Sequence, residues 1–410
     1  MRILFINQYF HPDLASTGQL LTELCTSLAK RFDVTVVAGF PSYTAGANRT
    51  HLKSPVRMES HDGVKVIRTY NTSLPRGSSI GRIANYLSFF LSSFFGAVFL
   101  AGKPDVVVTM TDPPVIALTG YIVSRIRKAR FVFISQDVFP EVSKALGKMD
   151  YKPLVWLLDR LNRFLLRKSD QIVAIGETMR KRLIEKGADP DKVAIIENWV
   201  DTDLIAPQDR SNPFSHEHKL TGKFVVMHSG NIGLSQDLET LIEAASLLKD
   251  NDEVVFAIIG DGVSKDKLSK LVDKLSLANV KFIPYQNKED LKHSLSSADV
   301  SVVSLKKGLA GYIVPSKLHG ILASGRTVLA AVEDECEVAK IVKDENCGKV
   351  IQPGNPQEMV DAIMHFLKNP DLLEEHGRNA RDAGEKKYSR KQAMDKYEDL
   401  LVTVTNGNKD

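Results

Sequence analysis

Cysteine is scarce in this chain of 410 residues, which contains only Cys25, Cys336 and Cys347. Three widely spaced cysteines make neither a disulfide framework nor a zinc-binding pattern, so they fit a reducing compartment. The net charge of +4 is too small to indicate a nucleic-acid-binding protein. The apolar run at the amino terminus stops at Asn7, too early for the core of a signal peptide. These absences predict a cytoplasmic protein with no metal site and no nucleic-acid partner.

Short apolar runs rich in branched residues alternate with segments of helical periodicity along the chain, a pattern typical of parallel strands buried on both faces. One series covers residues 3–6, 34–37, 64–67, 106–108, 131–134 and 172–175. A second series covers residues 224–228, 254–259, 280–284, 300–304, 327–331 and 349–351. Two such series predict two doubly wound α/β domains, joined by the polar stretch 207–222. Domains of this kind normally face each other across a cleft and bind ligands where their strands end.

The turn after the first strand leads into a predicted helix through Ser16, Gly18 and Gln19. Ser16 and Gln19 have the spacing of a capping box, and Gly18 leaves backbone N–H groups at the helix start open to an anion. An ordinary helix cap without a ligand is the alternative. Two further glycine turns, Ser-Gly230-Asn231-Ile-Gly233 and Gly260-Asp261-Gly262, follow strands of the second series. The first lacks the spacing of a full dinucleotide fingerprint and is a weak signal alone, and the second is more often a turn than a binding site.

Residues 305–325 contain a glycine-bearing loop and a helix predicted to begin near Pro315, with Ser316 and Lys317 in its first turn. A lysine there opposes the helix dipole, which favours anions at that end. The placement is explained if a diphosphate lies between Lys317 and the helix start. A solvated surface lysine is the alternative.

Asp137 follows the apolar run 131–134. A carboxylate at the end of a strand could orient or deprotonate the hydroxyl group of an acceptor. A local cap of the loop backbone is an equally good interpretation.

Two segments indicate a membrane. Residues 83–102 carry no charge and include five phenylalanines, so they are long enough to span a bilayer. The polar stripe of Asn85, Ser88 and Ser92 and the position between two strands argue instead for a buried helix or one that lies on the bilayer. Residues 153–168 combine a leucine stripe with Arg160, Arg163 and Arg167 on another face, which suits either anionic lipid or solvent.

Taken in order, the motifs resemble the family-four retaining glycosyltransferases, and most closely the N-acetylfucosamine transferase type of bacterial O-antigen and capsule clusters. The resemblance covers almost the whole chain and rests on Asn7-Gln-Tyr-Phe-His-Pro-Asp13, Thr-Gly18-Gln-Leu, Thr-Asp112-Pro-Pro, Gln-Asp137-Val-Phe-Pro-Glu141, Glu-Asn198-Trp-Val-Asp201, Ser-Gly-Asn231-Ile-Gly, Gly-Asp261-Gly and Val-Pro-Ser-Lys317-Leu-His-Gly-Ile-Leu-Ala-Ser-Gly325. Each motif is modest alone, whereas the ordered set is specific.

This resemblance implies the GT-B fold, with two Rossmann-like domains facing across a cleft. Residues 1–206 would bind the acceptor, residues 207–385 would bind the nucleotide sugar, and a last helix, 386–404, would cross back onto the first domain. The residues assigned to the donor are Gly18, Gly230, Asn231, Gln236, Asp261, Pro284, Val314, Pro315, Ser316, Lys317 and Glu337. Those assigned to the acceptor are His11, Asp112 and Asp137, and those assigned to catalysis are Asp137, Lys317 and Asn231.

The chain departs from the family pattern in the donor site. Where the wider family has an arginine and a lysine five residues later, this sequence has Asn231 and Gln236. Where the family has two glutamates, this sequence has Tyr312 and Gly320. Lys317 is the leading replacement for the lost cations; Lys306, Lys307 and Arg326 are the other candidates.

The expected reaction is metal-independent transfer of a sugar from a nucleotide-diphosphate donor, of the uridine type, to a lipid-linked polyprenyl-diphosphate saccharide. Backbone N–H groups around residues 230–232 and 314–317 would stabilise the departing diphosphate, and no cofactor besides the donor is expected. The protein would be peripheral at the inner face of the cell membrane. A nucleotide-sugar 2-epimerase of the same fold and a descendant that only binds sugar nucleotides remain as alternatives.

Overall fold

A computed structural model describes residues 1–13, 15–41, 55–72, 74, 79–111 and 113–407. The chain divides into two compact α/β units, each built on its own sheet, so the predicted fold class is confirmed. Unit 1 comprises residues 1–141, 150–196 and 394 onwards, and unit 2 comprises residues 142–149 and 197–393. The change between units falls at Ile196, earlier than the predicted boundary at 206. Residues 142–149 belong to unit 2 because Leu146 packs against one of its apolar clusters.

Unit 1 contains an eight-stranded sheet of order β3-β4-β2-β1-β5-β6-β7-β8. Its strands are β1 Arg2–Ile6, β2 Asp33–Gly39, β3 Val56–His61, β4 Val64–Thr69, β5 Val106–Thr109, β6 Arg130–Ser135, β7 Gln171–Ala174 and β8 Val193–Ile195. Neighbouring strands are parallel except for the edge pair β3 and β4, which is antiparallel. The central strands are apolar on both faces, as parallel strands covered by helices must be.

Helices cover both faces of this sheet. They are α1 Ser16–Leu28, α2 Ser79–Phe99, α3 Ile116–Arg127, α5 Lys152–Lys168, α6 Glu177–Glu185 and, from the end of the chain, α15 Arg390–Asn406. Helix α4 Glu141–Ala145 lies almost entirely in the segment that belongs to unit 2. Helix α3 contacts both α2 and α5, so these three helices lie side by side. The rings of Tyr121 on α3 and Phe164 on α5 meet edge to face at 5.3 Å.

Helix α15 begins in unit 2 and belongs to unit 1 from Met394 onwards. Its Tyr397 is buried, and its Glu398 forms an ion pair with Arg31. Near its end, the hydroxyl group of Thr405 lies 3.4 Å from the sulfur atom of Met1. The last helix therefore completes the unit that the first residues of the chain begin.

Unit 2 contains a six-stranded parallel sheet of order β11-β10-β9-β12-β13-β14. Its strands are β9 Phe224–Ser229, β10 Val254–Ile259, β11 Val280–Ile283, β12 Val300–Ser304, β13 Thr327–Ala331 and β14 Gly348–Ile351. Its helices are α7 Pro213–Glu217, α8 Leu238–Leu247, α9 Lys265–Leu275, α10 Leu291–Ser296, α11 Lys317–Ala323, α12 Glu337–Asp344, α13 Pro356–Lys368 and α14 Pro370–Lys386. In order of appearance the strands run 3-2-1-4-5-6, which is the arrangement of dinucleotide-binding sheets.

The apolar segment 83–102 forms most of α2. Its predicted polar stripe does not face solvent: Asn85 binds both the hydroxyl group of Thr72 and the backbone of Leu74, and Ser88 accepts the N–H of Thr72. These hydrogen bonds hold α2 against the chain that follows β4. Within the described part of the chain, no helix combines the length and apolar character needed to cross a bilayer.

Candidate active site

The strand order of unit 2 reverses between β9 and β12, and crevices at such a reversal are where open α/β sheets bind ligands. Gly230 directly follows β9. The chain after β12 leads to Lys317, the first residue of α11. The Gly230 turn and the Lys317 motif therefore follow the two strands that flank the reversal.

Glycines let three backbone segments come together beside this reversal. Gly260 has φ of +135°, and a Cβ atom added to it would lie 2.0 Å from the carbonyl oxygen of Gly230. A Cβ atom on Gly262 would lie 2.3 Å from the carbonyl oxygen of Ile232. Both are van der Waals overlaps with rigid backbone, so only glycine fits. Gly260-Asp261-Gly262, a weak motif by itself, is thus the surface on which the turn after β9 rests.

The backbone of this turn corrects one expectation. The N–H of Gly230 donates to Ile259 at 2.9 Å, and the N–H of Ile232 donates to Asp261 at 2.8 Å. Helix α8 begins only at Leu238. Of the amides of residues 230–232, which were expected to stabilise the departing diphosphate, those of Gly230 and Ile232 instead hold the turn against the end of β10 and the Asp261 turn.

Asn231 and Gln236, which replace the cations of the family pattern, have different surroundings. Gln236 accepts the N–H of Gly233 through its side-chain oxygen at 3.0 Å, and its carbonyl oxygen accepts the hydroxyl of Ser304. Gln236 therefore closes the turn and ties it to β12. Asn231 is exposed, and its side chain lies over Gly262, where an added Cβ atom would be 2.7 Å from the amide oxygen. Of the two, Asn231 is the one placed to meet a ligand.

Lys317 reaches back to the end of β9. Its Nζ atom lies 3.1 Å from Nε2 and 3.3 Å from Nδ1 of His228, and its aliphatic chain passes Gly230, where an added Cβ atom would be 3.5 Å from Cε. Among the ion pairs of the described residues, none includes Lys317. The sequence pattern did not reveal His228, although a histidine at a buried position of an apolar strand is an unusual residue and a possible signal.

Burial sets the protonation of this pair. Desolvation lowers the pKa of Lys317 to about 7. Desolvation also lowers the pKa of His228 well below its ordinary value; the nearby lysine acts in the same direction, and a hydrogen bond with the backbone of Asn231 opposes it. Lys317 as a whole keeps partial exposure, so its ammonium group is shielded by protein while part of its stem faces solvent. A buried cation without an acidic partner is stabilised when an anion approaches it.

The other residues of unit 2 that were predicted to bind the donor have varied surroundings. Pro284 is exposed and follows Ile283, whose carbonyl oxygen accepts the N–H of Gly260 at 3.0 Å. Val314, Pro315 and Ser316 lead directly into Lys317; α11 begins one residue later than Ser316 and has only seven residues. Glu337 is buried at the start of α12 and is one of the carboxylates that raise the pKa of Tyr388.

The alternative cations have different surroundings. Arg326 donates to the carbonyl oxygen of Gln208 at 2.7 Å. The backbone N–H of Lys306 donates to the carbonyl oxygen of Ser235 at 2.8 Å, which places this residue beside the turn after β9. Arg326 therefore packs against the segment 207–222 of unit 2, whereas the ammonium group of Lys317 lies at the reversal itself.

The predicted residues of unit 1 also follow its strands. Asp112 lies outside the described residues. Helix α1 begins at Ser16 with Ala15 as its N-cap, so Ser16 is the first helical residue and does not occupy the N-cap position that a capping box requires. Gly18 is buried in the first turn, where an added Cβ atom would lie 3.1 Å from Cβ of Tyr9. Its small size is required by packing within unit 1.

His11 lies in a cluster of basic side chains after β1. Its ring stacks on His61 at 3.9 Å, and its carbonyl oxygen accepts a hydrogen bond from the buried guanidinium of Arg68. Burial, and then the nearby His61 and Arg68, lower the pKa of His11. The imidazole is therefore held mainly neutral near pH 7, as a base or hydrogen-bond acceptor must be. Asp137 is half-buried after β6, and its carbonyl oxygen accepts the hydroxyl of Ser135 at 3.1 Å.

Comparison with known proteins decides the family. The family described as "Glycosyl transferases group 1" matches residues 209–383, and the "Glycosyl transferase 4-like domain" matches residues 17–199. The chain is 27% identical to the glycosyltransferase WbjE of Pseudomonas aeruginosa over 88% of both chains. It is 26% identical to WcaI of Escherichia coli (strain K12), over 97% of this chain and 98% of that protein. WcaI is named as a colanic acid biosynthesis glycosyl transferase.

This chain is a glycosyltransferase of the GT-B, family-four type. Its fold is similar to that of HepE from Anabaena, solved in complex with UDP-glucose, with a TM-score of 0.74 and 17% identity over 98% of this chain and 100% of that one. The match to the 4-like domain ends at residue 199, near the boundary of unit 1, and the match to group 1 falls within unit 2. In this glycosyltransferase, the Gly230 turn and Lys317 therefore lie in the group 1 region.

The geometry of the pair fits the chemistry that a glycosyltransferase needs. Breaking a glycosyl–diphosphate bond leaves negative charge on the departing oxygens, and a fixed cation or N–H donor at that place lowers the barrier. Lys317 supplies a charge that is held in place by burial and by His228, and Asn231 supplies an amide beside it. This arrangement can favour the charge that develops as the donor breaks.

Proposed function

We propose that this glycosyltransferase transfers a sugar from a UDP-sugar to a lipid-linked saccharide at a membrane, during the synthesis of a surface polysaccharide. The observation that carries the proposal is the buried Lys317 at the strand reversal of unit 2, beside His228 and without an acidic partner among the described ion pairs. A doubly charged diphosphate would supply the missing negative charge.

The donor class is supported from two sides. The sheet of unit 2 has the strand order of nucleotide-binding domains, and its glycine turn lies at the reversal where such sheets bind. HepE, which shares the fold, was solved with UDP-glucose. The polysaccharide context is supported by WcaI, which is named for colanic acid biosynthesis. Lys317, Asn231 and Asp261 are the residues proposed to contact the donor.

The lipid-linked acceptor is supported by the surface of unit 1. Helix α2 presents a row of exposed apolar side chains at four-residue spacing: Ile83, Leu87, Leu91, Phe95 and Phe99, which are between 52% and 71% exposed. Soluble proteins rarely expose contiguous apolar rows of this length. We call these five residues the α2 row.

Helix α5 extends the same surface with positive charge. Trp156 and Leu157 are more than half exposed, and the guanidinium of Arg160 lies 5.0 Å from the centre of the Trp156 ring. Arg163, another arginine of the predicted basic face, is half-exposed and pairs with Asp159 at 2.7 Å. Exposed apolar side chains next to Arg160, Arg167 and Lys103 fit a bilayer with anionic headgroups. The acceptor would reach the enzyme from that bilayer.

The proposal is tested by measuring UDP release from a panel of UDP-sugars, with and without a polyprenyl-diphosphate-linked saccharide. Release that requires the acceptor, together with a longer acceptor in the product, supports glycosyl transfer. Conversion of a UDP-sugar into its 2-epimer without any acceptor, whether or not UDP is released, would identify a 2-epimerase. Donor binding with neither release of UDP nor epimerisation under any condition would identify a protein that only binds sugar nucleotides.

A further inference from the structure

The loop that joins β6 to α4 carries Asp137 and is fixed at several points. We call residues 136–141 the acceptor loop. Its Val138 and Phe139 are buried, and the N–H of Gln136 donates to the hydroxyl of Thr111 at 3.2 Å. These contacts fix the start and the middle of the loop.

Lys186 fixes the end of the acceptor loop. This residue is the C-cap of α6, and its side chain is only 6% exposed. Its ammonium group forms an ion pair with Glu141 and lies 3.4 Å from the carbonyl oxygen of Phe139. A buried ammonium group has three hydrogens to donate, and two of its partners here belong to the acceptor loop.

The third partner of Lys186 lies on helix α5. Its Nζ atom is 2.8 Å from a carboxylate oxygen of Asp159. The other oxygen of Asp159 accepts from Arg163 at 2.7 Å, and Arg163 also donates to the carbonyl oxygen of Lys186 at 3.1 Å. Burial would raise the pKa of Asp159, but the hydrogen bonds from Lys186 and Arg163 outweigh it and lower the pKa. Asp159 is therefore ionised at neutral pH and ties α5 to Lys186.

Helix α5 is the same helix that presents Trp156 and Arg160 to the proposed bilayer. Asp159 lies between Trp156 and Arg160 along the helix, so one short chain of contacts runs from α5 through Asp159 and Lys186 to the acceptor loop. No part of this chain is needed to hold the sheet together, because β6 and β7 pair directly. The contacts fix the loop relative to α5 and have no other evident role.

We infer that Lys186 is a positioning residue for the acceptor: it holds the acceptor loop at a fixed place relative to α5 and thereby to the membrane surface. The inference rests on the proposed function, since it takes Asp137 to act on the acceptor. Lys186 itself is not placed to touch the reacting atoms. A shift of about 1 Å in a group that orients a substrate can lower the rate about a hundredfold, so a fixed position of the acceptor loop matters for the rate of transfer.

The experiment compares Lys186→Met and Lys186→Arg with the wild-type enzyme. Methionine keeps the length and apolar stem of the side chain but removes all three hydrogen bonds, whereas arginine retains a cation that reaches both carboxylates. Lys181→Met is the matched control, because Lys181 is an exposed lysine on α6. Rates are measured while the acceptor and the donor are varied separately, in detergent and with liposomes that contain anionic lipid.

Lys186→Met is expected to lower kcat/KM for the acceptor by roughly ten- to a hundredfold, with an unchanged KM for the donor and unchanged UDP affinity. Lys186→Arg is expected to restore most of the loss, and Lys181→Met to behave as wild type. A matching loss of UDP affinity, or no rescue by arginine, would show that Lys186 supports only the fold and would overturn the inference.

Two further variants separate this inference from the proposed function. Asp159→Asn leaves the Glu141 link intact, so it is expected to keep activity in detergent and to lose part of the activation by anionic liposomes. Activation equal to that of wild type would overturn the link to α5. Asp137→Asn serves as the reference for loss of acceptor chemistry. If wild-type enzyme releases no UDP with any acceptor, the proposed function fails, whereas a defect confined to Lys186→Met concerns the positioning alone.

Discussion

The Nζ atom of Lys317 lies 3.1 Å from Nε2 of His228, although the two residues are 89 positions apart in the chain. They meet because β9, which ends next to His228, pairs with β12, whose following loop leads to Lys317. Because His228 is neutral and carries no negative charge, it leaves the ammonium group of Lys317 available to an anionic ligand. The pair thus places a lysine next to the turn where Asn231 and Gln236 stand in place of the arginine and lysine of the family pattern.

Replacement of Lys317 by alanine is expected to lower kcat/KM for the donor by about 2–4 kcal/mol in transition-state stabilisation, as for the loss of one oxyanion donor. The reason is that the desolvated ammonium group of Lys317 lies beside His228 and Gly230 at the end of β9, whereas the guanidinium of Arg326 is bonded to Gln208. Lys307→Ala is the matched control, because Lys307 is an exposed lysine of the same segment. Steady-state rates at limiting UDP-sugar provide the measurement. Equal rates for Lys317→Ala and wild type would exclude the assignment.

Binding of UDP at pH 8 is expected to take up close to one proton. The pKa of Lys317 in the free enzyme is about 7, so most molecules hold a neutral amine at pH 8. A diphosphate favours the ammonium form and raises this pKa, and the terminal phosphate, whose pKa is near 6, is already ionised. Affinity for UDP should therefore fall as the pH rises above 7.

Titration calorimetry in two buffers of different ionisation enthalpy measures this uptake directly. Lys317→Met should bind more weakly and without proton uptake, which identifies the group responsible. A proton count near zero for the wild-type enzyme would mean that Lys317 is already charged before the donor arrives.

Gly260→Ala is expected to destabilise unit 2 and to abolish UDP binding. The new methyl group would lie 2.0 Å from the carbonyl oxygen of Gly230, so the turn after β9 must move. Gly308→Ala is the control: Gly308 also has positive φ, at +85°, but has open space around it. Its cost should be confined to backbone strain of about 1–2 kcal/mol.

Chemical denaturation and UDP binding of the two glycine variants provide the comparison. A loss above about 3 kcal/mol is expected for Gly260→Ala, in the range that marks a forced overlap. Similar stabilities for both variants would contradict the close approach of the two turns.

The triple variant Leu91→Ser, Phe95→Ser, Phe99→Ser is expected to abolish binding to anionic liposomes. Each side chain of the α2 row that inserts into the bilayer contributes about 1.5–3 kcal/mol, while exposed substitutions cost the fold little. Leu247→Ser with Val263→Ser is the matched control, since both are exposed apolar residues of unit 2. Flotation with neutral and anionic liposomes at low and high salt gives the readout, and binding should weaken with salt.

Retained flotation of the triple variant would remove the α2 row from the proposed membrane surface. A change from a dimer to a monomer in solution, without any effect on liposomes, would instead assign the row to an interface between two copies of the chain.

Much of the fold could be predicted because its parallel strands are continuous apolar runs. All six strands of unit 2 correspond to runs in the sequence. Strand β3 was missed because it is an antiparallel edge strand of sequence Val-Arg-Met-Glu-Ser-His, with few buried side chains. Strand β8 was missed because it has only three residues. The apolar pattern of a strand and its length therefore decide whether it can be recognised in the sequence.

The residues of the site could be predicted only where a motif directly follows a strand in the sequence. The importance of the Gly230 turn and of Lys317 follows from local sequence, whereas the contact with His228 depends on strand order. The amides of Gly230 and Ile232 looked available because hydrogen bonds to β10 and the Asp261 turn cannot be read from the turn itself. Arg326 was a candidate for binding the donor, but its guanidinium donates to the carbonyl oxygen of Gln208, which the sequence does not reveal.

Helix α15 makes the order of synthesis matter for this enzyme. Unit 1 begins with the first residues of the chain, yet it includes Tyr397, buried at 2% exposure, and Glu398, paired with Arg31. A ribosome must therefore translate all of unit 2 before the first unit can bury its final helix. Until then, the nascent unit 1 exposes the apolar surface that Tyr397 will cover, and a fragment that ends at Ile196 would stay in that incomplete state.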